Sequence, residues 1–385
     1  MRLLHCVHSC NPEGGGVWEA VNQFAQSHQS RGHEVQIATL DDPHSPWCNN
    51  NNVNLRALGP TRGYGFSLKF QKWLRSNAQE YDCVVVHGLW QYHGYAVMKS
   101  CSELEVPYFV YPHGMLDPWF KYSNRLKHIK KLCYWKLVEH RVLGNASGVI
   151  FTCEEEKRLA YGTFKPFNCR PFVAPLGVRE VNGNANDQSN LFYDTYPQLR
   201  EKSYILFLGR IHPKKGLDLL FEALLNIDQY IPDLVIAGPV DDYAYQKSFD
   251  KFIEGIRAKQ NDWQCEWVGM LSGDTKWGAL RSADVFVLPS HQENFGIAVV
   301  EALSVGTPVL ITQKVNIYRE ILESEAGYAA EDSITGIKDM MVKWISLGQK
   351  AKATYSKNAK KCYYKNFEIN QASDHLENVL LHSLP

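Results

Sequence analysis

Short runs of aliphatic and β-branched residues alternate with stretches of helical periodicity along most of the chain. The pattern predicts strands at Leu3 to Val7, Glu34 to Thr39, Cys83 to His87, Tyr108 to Tyr111, Gly148 to Thr152 and Phe172 to Ala174. It repeats at Tyr204 to Leu208, Leu234 to Ala237, Glu266 to Val268, Val285 to Leu288 and Val309 to Ile311. Strands that are apolar on both faces, separated by helices, are the mark of parallel sheets with crossover connections. Between the two sets, Glu180 to Gln198 is rich in Asn, Asp and Gly, buries little by composition and reads as a linker. The expected organisation is a Rossmann-like domain over 1–180, a linker over 181–200, a second Rossmann-like domain over 201–350, and a helical tail over 351–385. The tail's aromatics, in KNAKKCYYKNF, suggest that it packs back on the first domain, although an ordinary surface helix accounts for them nearly as well. Two such domains facing a central cleft hold ligands outside the carboxyl ends of their strands. The residues that follow the strands are therefore the ones to inspect.

Composition narrows the classes. In 385 residues, forty-one Lys and Arg balance forty-one Asp and Glu, so no global basic field points to nucleic acid. The N-terminus lacks a signal-peptide core, and no apolar run reaches the roughly 20 residues of a membrane span. Ten cysteines without a CxxC pattern favour reduced thiols and a cytoplasmic location.

Three constellations carry chemistry. After the first strand, Gly14-Gly15-Gly16 precede a helix, a setting in which backbone N–H groups and the helix dipole receive an anion. The third glycine of the dinucleotide fingerprint is absent, since Glu19 stands there, and a sharp βα connection explains the run equally well. In the second half, Glu293 and Glu301 lie eight positions apart around a helix start near Gly296. Paired carboxylates accept hydrogen bonds from diols, and Asn294-Phe295-Gly296 offers N–H donors for phosphate; spacing alone also fits a charged amphipathic helix. Thirdly, GRIHPKKG follows a strand and brings Arg210 and Lys215 to one turn, where two cations can neutralise a diphosphate.

GRIHPKKG, VGML and SHQENFGIAVVEALSVGTPV, in that order from about Ile205 to Gly327, resemble the retaining glycosyltransferases of the GT-B fold, in particular glycosyltransferase family 4 with its Glu-x7-Glu motif. The resemblance implies that Arg210 and Lys215 hold the donor diphosphate, that Glu293 contacts the transferred sugar and that Glu301 takes the ribose hydroxyls. It assigns the backbone of Phe295, Gly296 and Ile297, beside Asn294, to sugar and phosphate. Val268, Met270 and Leu271 would cradle the base, and Gly15 and Gly16 would approach the phosphate. Of fourteen histidines, His87 and His113 directly follow apolar strands, and His113 matches better the family's histidine beside the sugar. Asp117, Trp90 and Trp119 are further candidates on the acceptor side, the indoles as flat surfaces for sugar rings.

No Asp-x-Asp triplet occurs, and the pairs Asp41-Asp42 and Asp241-Asp242 point apart rather than converge, so neither metal nor cofactor is expected. From Lys121 to Arg141, seven Lys and Arg accompany one acid, Glu139, while Leu126, Ile129, Cys133 and Leu137 recur at helical spacing. Such a helix suits an anionic leaflet or, equally, a core contact with a solvated basic face. The expected activity is hexose transfer, first from UDP-glucose, to a glycan or lipid-linked glycan, with a nucleotide-sugar epimerase and a Rossmann oxidoreductase as rivals.

Overall fold

A computed structural model describes residues 1–12, 15–49, 53–119, 125–200, 202–240 and 242–383, the side chains of 125–127 excepted. Gly14, Lys121 and Asp241 lie outside the described residues, as does the side chain of Leu126. The chain forms two units, Met1–Arg179 with Glu368–Pro385, and Glu180–Phe367.

The first unit holds β1 (Arg2–Val7), β2 (Glu34–Thr39), β3 (Asn54–Ala57), β4 (Cys83–His87), β5 (Tyr108–Tyr111), β6 (Gly148–Phe151) and β7 (Pro171–Val173). They form one sheet in the order β3-β2-β1-β4-β5-β6-β7, and every pairing is parallel. Val84, Val85 and Val86 have no exposed surface; burying each contributes about 1.5–3 kcal/mol, which is why this run can only be an interior strand. Chain order reverses between β1 and β4, so the loops after these two strands open at the switch point where α/β sheets bind ligands.

The second unit repeats the plan with β8 (Tyr204–Leu208), β9 (Asp233–Ala237), β10 (Cys265–Gly269), β11 (Val285–Leu288), β12 (Val309–Thr312) and β13 (Gly327–Ala330). Its order is β10-β9-β8-β11-β12-β13, again all parallel, and the switch point falls between β8 and β11. The turn after β8 carries Arg210 and Lys215, and the loop after β11 carries Glu293. Topology thus places at one sheet position two features that lie 78 residues apart in sequence.

Two expectations about the chain's organisation need correction. Residues 181–200 are not a loose linker: Ala185–Thr195 is a helix, with the Asn184 side chain accepting the N–H groups of Asn186 and Asp187. Its composition is polar, yet Gln188 and Phe192, one turn apart, are buried. The Gln188 amide is satisfied, donating to Asp274 at 2.9 Å and accepting from Arg281 at 2.8 Å, so burial leaves no polar group stranded. The helix lies against Gly273–Ser282 so closely that a Cβ on Gly278 would come within 2.0 Å of the Gln188 carbonyl oxygen.

The C-terminal segment is likewise not one tail. Helix Gln349–Asn366 belongs to the second unit and buries Cys362 and Tyr363 there, so Tyr363 and, just after the helix, Phe367 serve that core while Tyr364 stays exposed. The next helix, Ile369–Leu381, belongs to the first unit. It packs on helix Gly16–Ser30, where Ser373 and Ser27 hydroxyls bond at 2.8 Å and Arg31 pairs with Glu377 at 2.9 Å and with Asp374.

The basic stretch is helical over Arg125–Tyr134, passes through a π turn at Trp135–Glu139 and ends with His140–Gly144. Among its described residues Trp135, Glu139, Val142 and Leu143 are buried, whereas Ile129, Cys133 and Leu137 face solvent. The described part of the apolar stripe, Ile129, Cys133 and Leu137, is therefore the outer face, and indole packing fixes the inner one: Trp135 stacks with Phe164 and with Phe167. Burial raises the Glu139 carboxyl to about 7 against the opposing hydrogen bond from the Trp90 N–H.

Candidate functional site

In the second unit the turn after β8 is shaped by Gly216, which adopts φ 71° and lies so close to β11's exit that a Cβ would fall 1.9 Å from the Pro289 carbonyl oxygen. Only glycine fits, and the constraint presses the Pro213–Lys215 turn against the loop after β11. There Lys215 Nζ forms an ion pair with Glu293, both side chains being about four-fifths buried. Glu293 is held from the far side as well: its N–H donates to the Lys314 carbonyl at 2.9 Å, and its carbonyl accepts from Asn316 N–H at 3.0 Å. Asn294 is fixed by the Asn316 amide at 3.2 Å. Arg210 is exposed on the same turn.

Gly296 precedes helix Ile297–Ser304, whose first N–H groups lack intrahelical partners, as every helix start does. The Phe295 side chain is buried and packs edge-on against Phe367, so this residue offers its backbone and not its ring. Glu301 lies within the helix and pairs with Lys276 Nζ at 2.7 Å. Both carboxylates singled out in the sequence are thus held by lysines. Val268 is half-buried at the end of β10, Leu271 is half-buried beyond it, and Met270 is among the most exposed large apolar side chains.

His291, not singled out in the sequence, ties the same loop together. Its Nδ1 meets Asp332 at 2.8 Å, its Nε2 lies 3.7 Å from Asp218, and its N–H donates to the Lys214 carbonyl at 2.9 Å. Hydrogen bonds to Asp218 and Asp332 raise its pKa to about 10, so the ring is cationic at neutral pH.

In the first unit, Gly15 and Gly16 are exposed at the start of helix Gly16–Ser30. The loop before them is anchored by Asp41, which the sequence showed only as half of an adjacent acidic pair and which accepts from Ser9 Oγ at 2.6 Å, Cys10 N–H at 2.7 Å and Trp47 Nε1 at 3.1 Å. Among the described residues, the grouping with metal-like spacing is Cys10, Asp41 and Cys48. Burial, and then Asp41, raise the Cys10 thiol and keep it protonated.

His87 ends β4 and His113 follows β5, and the structure brings them together: His87 Nδ1 lies 2.9 Å from His113 Nε2. His113 sits at φ 52°, in the left-handed region that a non-glycine residue occupies at a cost, and such strain clusters at functional sites. Glu156 holds the turn: its carboxylate accepts the Gly114 N–H and both the N–H and hydroxyl of Thr152 at 2.7 Å.

The acceptor-side candidates are more engaged than expected. Asp117 is buried and accepts the Trp119 N–H at 2.8 Å, and Trp119 is half-buried. Trp90 packs near Trp135 and Phe164, donates Nε1–H to the Met115 carbonyl at 3.3 Å, and carries the Lys131 ammonium over its ring at 4.8 Å.

Comparison with known proteins identifies the family and the fold. The family model for glycosyl transferases group 1 matches residues 196–362, and that for the glycosyl transferase 4-like domain matches 15–169. The uncharacterized glycosyltransferase MJ1607 of Methanocaldococcus jannaschii is 25% identical over 321 residues, 77% of this chain and 76% of that protein. The phosphatidyl-myo-inositol mannosyltransferase of Mycobacterium leprae is 33% identical over 137 residues, 34% of each chain. This chain thus matches about a third of the mannosyltransferase. Among solved structures, Anabaena HepE in complex with UDP and glucose superposes with a TM-score of 0.75 at 15% identity, covering 99% of this chain and 100% of that one. At that identity the likeness is one of fold.

Proposed function

We propose, on the premise that this chain belongs to the glycosyl transferases group 1 family of GT-B glycosyltransferases, that it moves a hexose from a UDP-sugar, UDP-glucose first, to a hydroxyl of a glycan or lipid-linked glycan. Retention of anomeric configuration is part of the proposal and rests on the family resemblance. The observation that carries the reading is the pair of lysine–carboxylate contacts, Lys215 with Glu293 and Lys276 with Glu301, around the second unit's switch point. The fold neighbour HepE was solved with UDP and glucose, which supports a donor of that class.

Chemically, the sugar C1–oxygen bond to the diphosphate breaks with its electron pair leaving on the phosphate oxygen, the acceptor oxygen bonds to C1, and the proton of the acceptor hydroxyl passes to the departing diphosphate. Arg210 and Lys215 stabilise the departing charge, Arg through its planar fork and Lys as a point charge. When the diphosphate draws on Lys215, the Glu293 carboxylate is released to accept hydroxyls of the sugar. Glu301 accepts the ribose hydroxyls. With protein cations in this role, transfer needs no Mg²⁺ or Mn²⁺.

A panel of nucleotide sugars tests the reading. Slow release of nucleoside diphosphate, unchanged by EDTA, is the expected result. Epimer formation or nicotinamide dependence supports a rival instead, and loss on chelation with recovery on adding Mg²⁺ or Mn²⁺ removes the metal-independent step.

A peripheral contact with an anionic membrane is favoured by one structural fact. Ile129, Cys133 and Leu137 are exposed on the same helical segment as exposed Lys130 and Lys136. Among the described residues no helix is long and apolar enough to cross a membrane, so the contact proposed is with the surface. Each Lys or Arg near such a surface contributes about 1 kcal/mol. Sedimentation with anionic vesicles at low salt should carry the protein down, high salt should release it, and a Lys130→Glu/Lys136→Glu variant should remain in solution. Equal recovery of both proteins in the supernatant makes the helix an ordinary solvated face.

A further inference from the structure

Three buried or half-buried histidines, His5 on β1, His87 at the end of β4 and His113 just after β5, form a continuous hydrogen-bonded row. His5 on β1 meets His87 through Nδ1 to Nε2 at 2.9 Å, and His87 meets His113 through Nδ1 to Nε2 at 2.9 Å. We propose that His5 and His87 are positioning residues that polarise this chain of neutral imidazoles, so that His113 presents Nδ1–H as a fixed hydrogen-bond donor to an oxygen of the transferred sugar. The inference rests on the reading of His113 as a residue that lines the sugar site.

Each neutral imidazole donates at one ring nitrogen and accepts at the other. A row of three therefore has two consistent proton arrangements, running toward His113 or toward His5. The far end decides between them. His5 Nε2 is buried and has no hydrogen-bond partner. If the row ran toward His5, that nitrogen would carry an N–H with nothing to receive it, whereas the opposite sense leaves only a bare lone pair. Buried orphan donors are rarer in proteins than under-satisfied acceptors.

His93 beside the row shows the same preference. Its Nε2 lies 3.0 Å from the His87 carbonyl oxygen and must carry the proton, which leaves a buried Nδ1 lone pair without a partner. The sense running toward His113 therefore puts the proton on Nδ1 of His5, of His87 and of His113.

The surroundings keep the row neutral and still. Burial lowers His5 to about 4 and His113 to about 3, and lowers His87 well below the ordinary histidine value, with neighbouring imidazoles adding to the effect at His87. Tyr111 stacks on both His87 and His113, with ring centres 5.6 and 5.3 Å away. His28 stacks on His5 at 6.2 Å. Together with the Glu156 clamp on Gly114, the ring of His113 is fixed both through its backbone and through its Nε2. An imidazole so held donates; it does not act as a base.

Nitrogen-15 NMR of the histidine-labelled, ligand-free full-length protein reads the tautomers directly. The expected spectrum shows Nδ1 protonated and Nε2 bare in all three rings. His5→Phe keeps an aromatic ring against His28 but has no donor. It should shift the His113 pair of nitrogen signals toward a mixture of tautomers and lower sugar transfer about 3- to 10-fold at unchanged donor KM, the scale of one buried hydrogen bond. His5→Asn places an amide N–H near the lost Nδ1–H and should restore both readings. Protonation of His113 at Nε2 in the wild type overturns the proposal, as does a His5→Phe spectrum in which the His113 signals do not move. The spectrum is taken without donor or acceptor, so a failure of the glycosyl-transfer reading leaves it intact, and a failure of the row leaves nucleotide-sugar turnover intact.

Discussion

Replacing Lys215 by alanine should reduce transfer by about 10- to 1000-fold at saturating donor, the scale of removing one preorganised stabiliser of developing charge. The structure adds a reason to expect the upper part of that range. Lys215 is the ion-pair partner of Glu293, and both are largely buried, so its loss leaves a carboxylate without its cation facing the incoming diphosphate. Arg210→Ala, at an exposed position on the same turn, should cost less. A Lys215→Ala/Glu293→Gln variant separates the two effects, because removing the stranded charge should improve donor binding over Lys215→Ala without restoring the rate. Turnover of Lys215→Ala within threefold of wild type contradicts the assignment.

Glu301→Gln should weaken binding of UDP and of UDP-sugar alike, by about 10- to 100-fold, as expected for hydrogen bonds that a carboxylate accepts from two hydroxyls. Glu293→Gln should leave UDP affinity near that of the wild type and reduce transfer, because UDP lacks the sugar. Calorimetric titration of UDP distinguishes them. Lys276 makes the experiment stricter: it holds Glu301 at 2.7 Å, so Lys276→Met should also weaken UDP by leaving the carboxylate unoriented. Equal UDP affinity in wild type and Glu301→Gln removes the ribose role.

What could be read from sequence follows from where the chemical signal is stored. Interior strands such as Cys83–His87 announce themselves because both faces are buried. Asn54–Ala57 and Gly327–Ala330 do not, because Asn54 and Arg56 interrupt the one and glycine and alanines fill the other, whereas the edge strands Pro171–Val173 and Cys265–Gly269 carry Phe172-Val173 and Trp267-Val268 and could be read. The helix Ala185–Thr195 was hidden because its packing within the second unit depends on a glutamine, buried only because Asp274 and Arg281 complete its hydrogen bonds. The basic helix had the right residues and the wrong face: periodicity locates a stripe, but Trp135 and Glu139 decide which side turns inward.

The candidate site divides in the same way. Arg210, Lys215, Glu293 and Glu301 stand in contiguous motifs, whereas Lys276 is 25 positions from Glu301, and His291 meets Asp332 from 41 positions away. Glu156 and Asp41 act on loops 42 and 31 positions distant. No local pattern marks such partners; the parallel sheet's crossovers bring them together.

The central claim is that the donor's diphosphate and ribose are held in the second unit by the turn after β8, the loop after β11 and helix Ile297–Ser304. A crystal structure of the full-length protein with UDP tests it most directly. The account predicts the diphosphate against Arg210, Lys215 and the N–H groups following Gly296, with both ribose hydroxyls on the Glu301 carboxylate. UDP bound elsewhere, with the Lys215–Glu293 and Lys276–Glu301 pairs undisturbed, contradicts it.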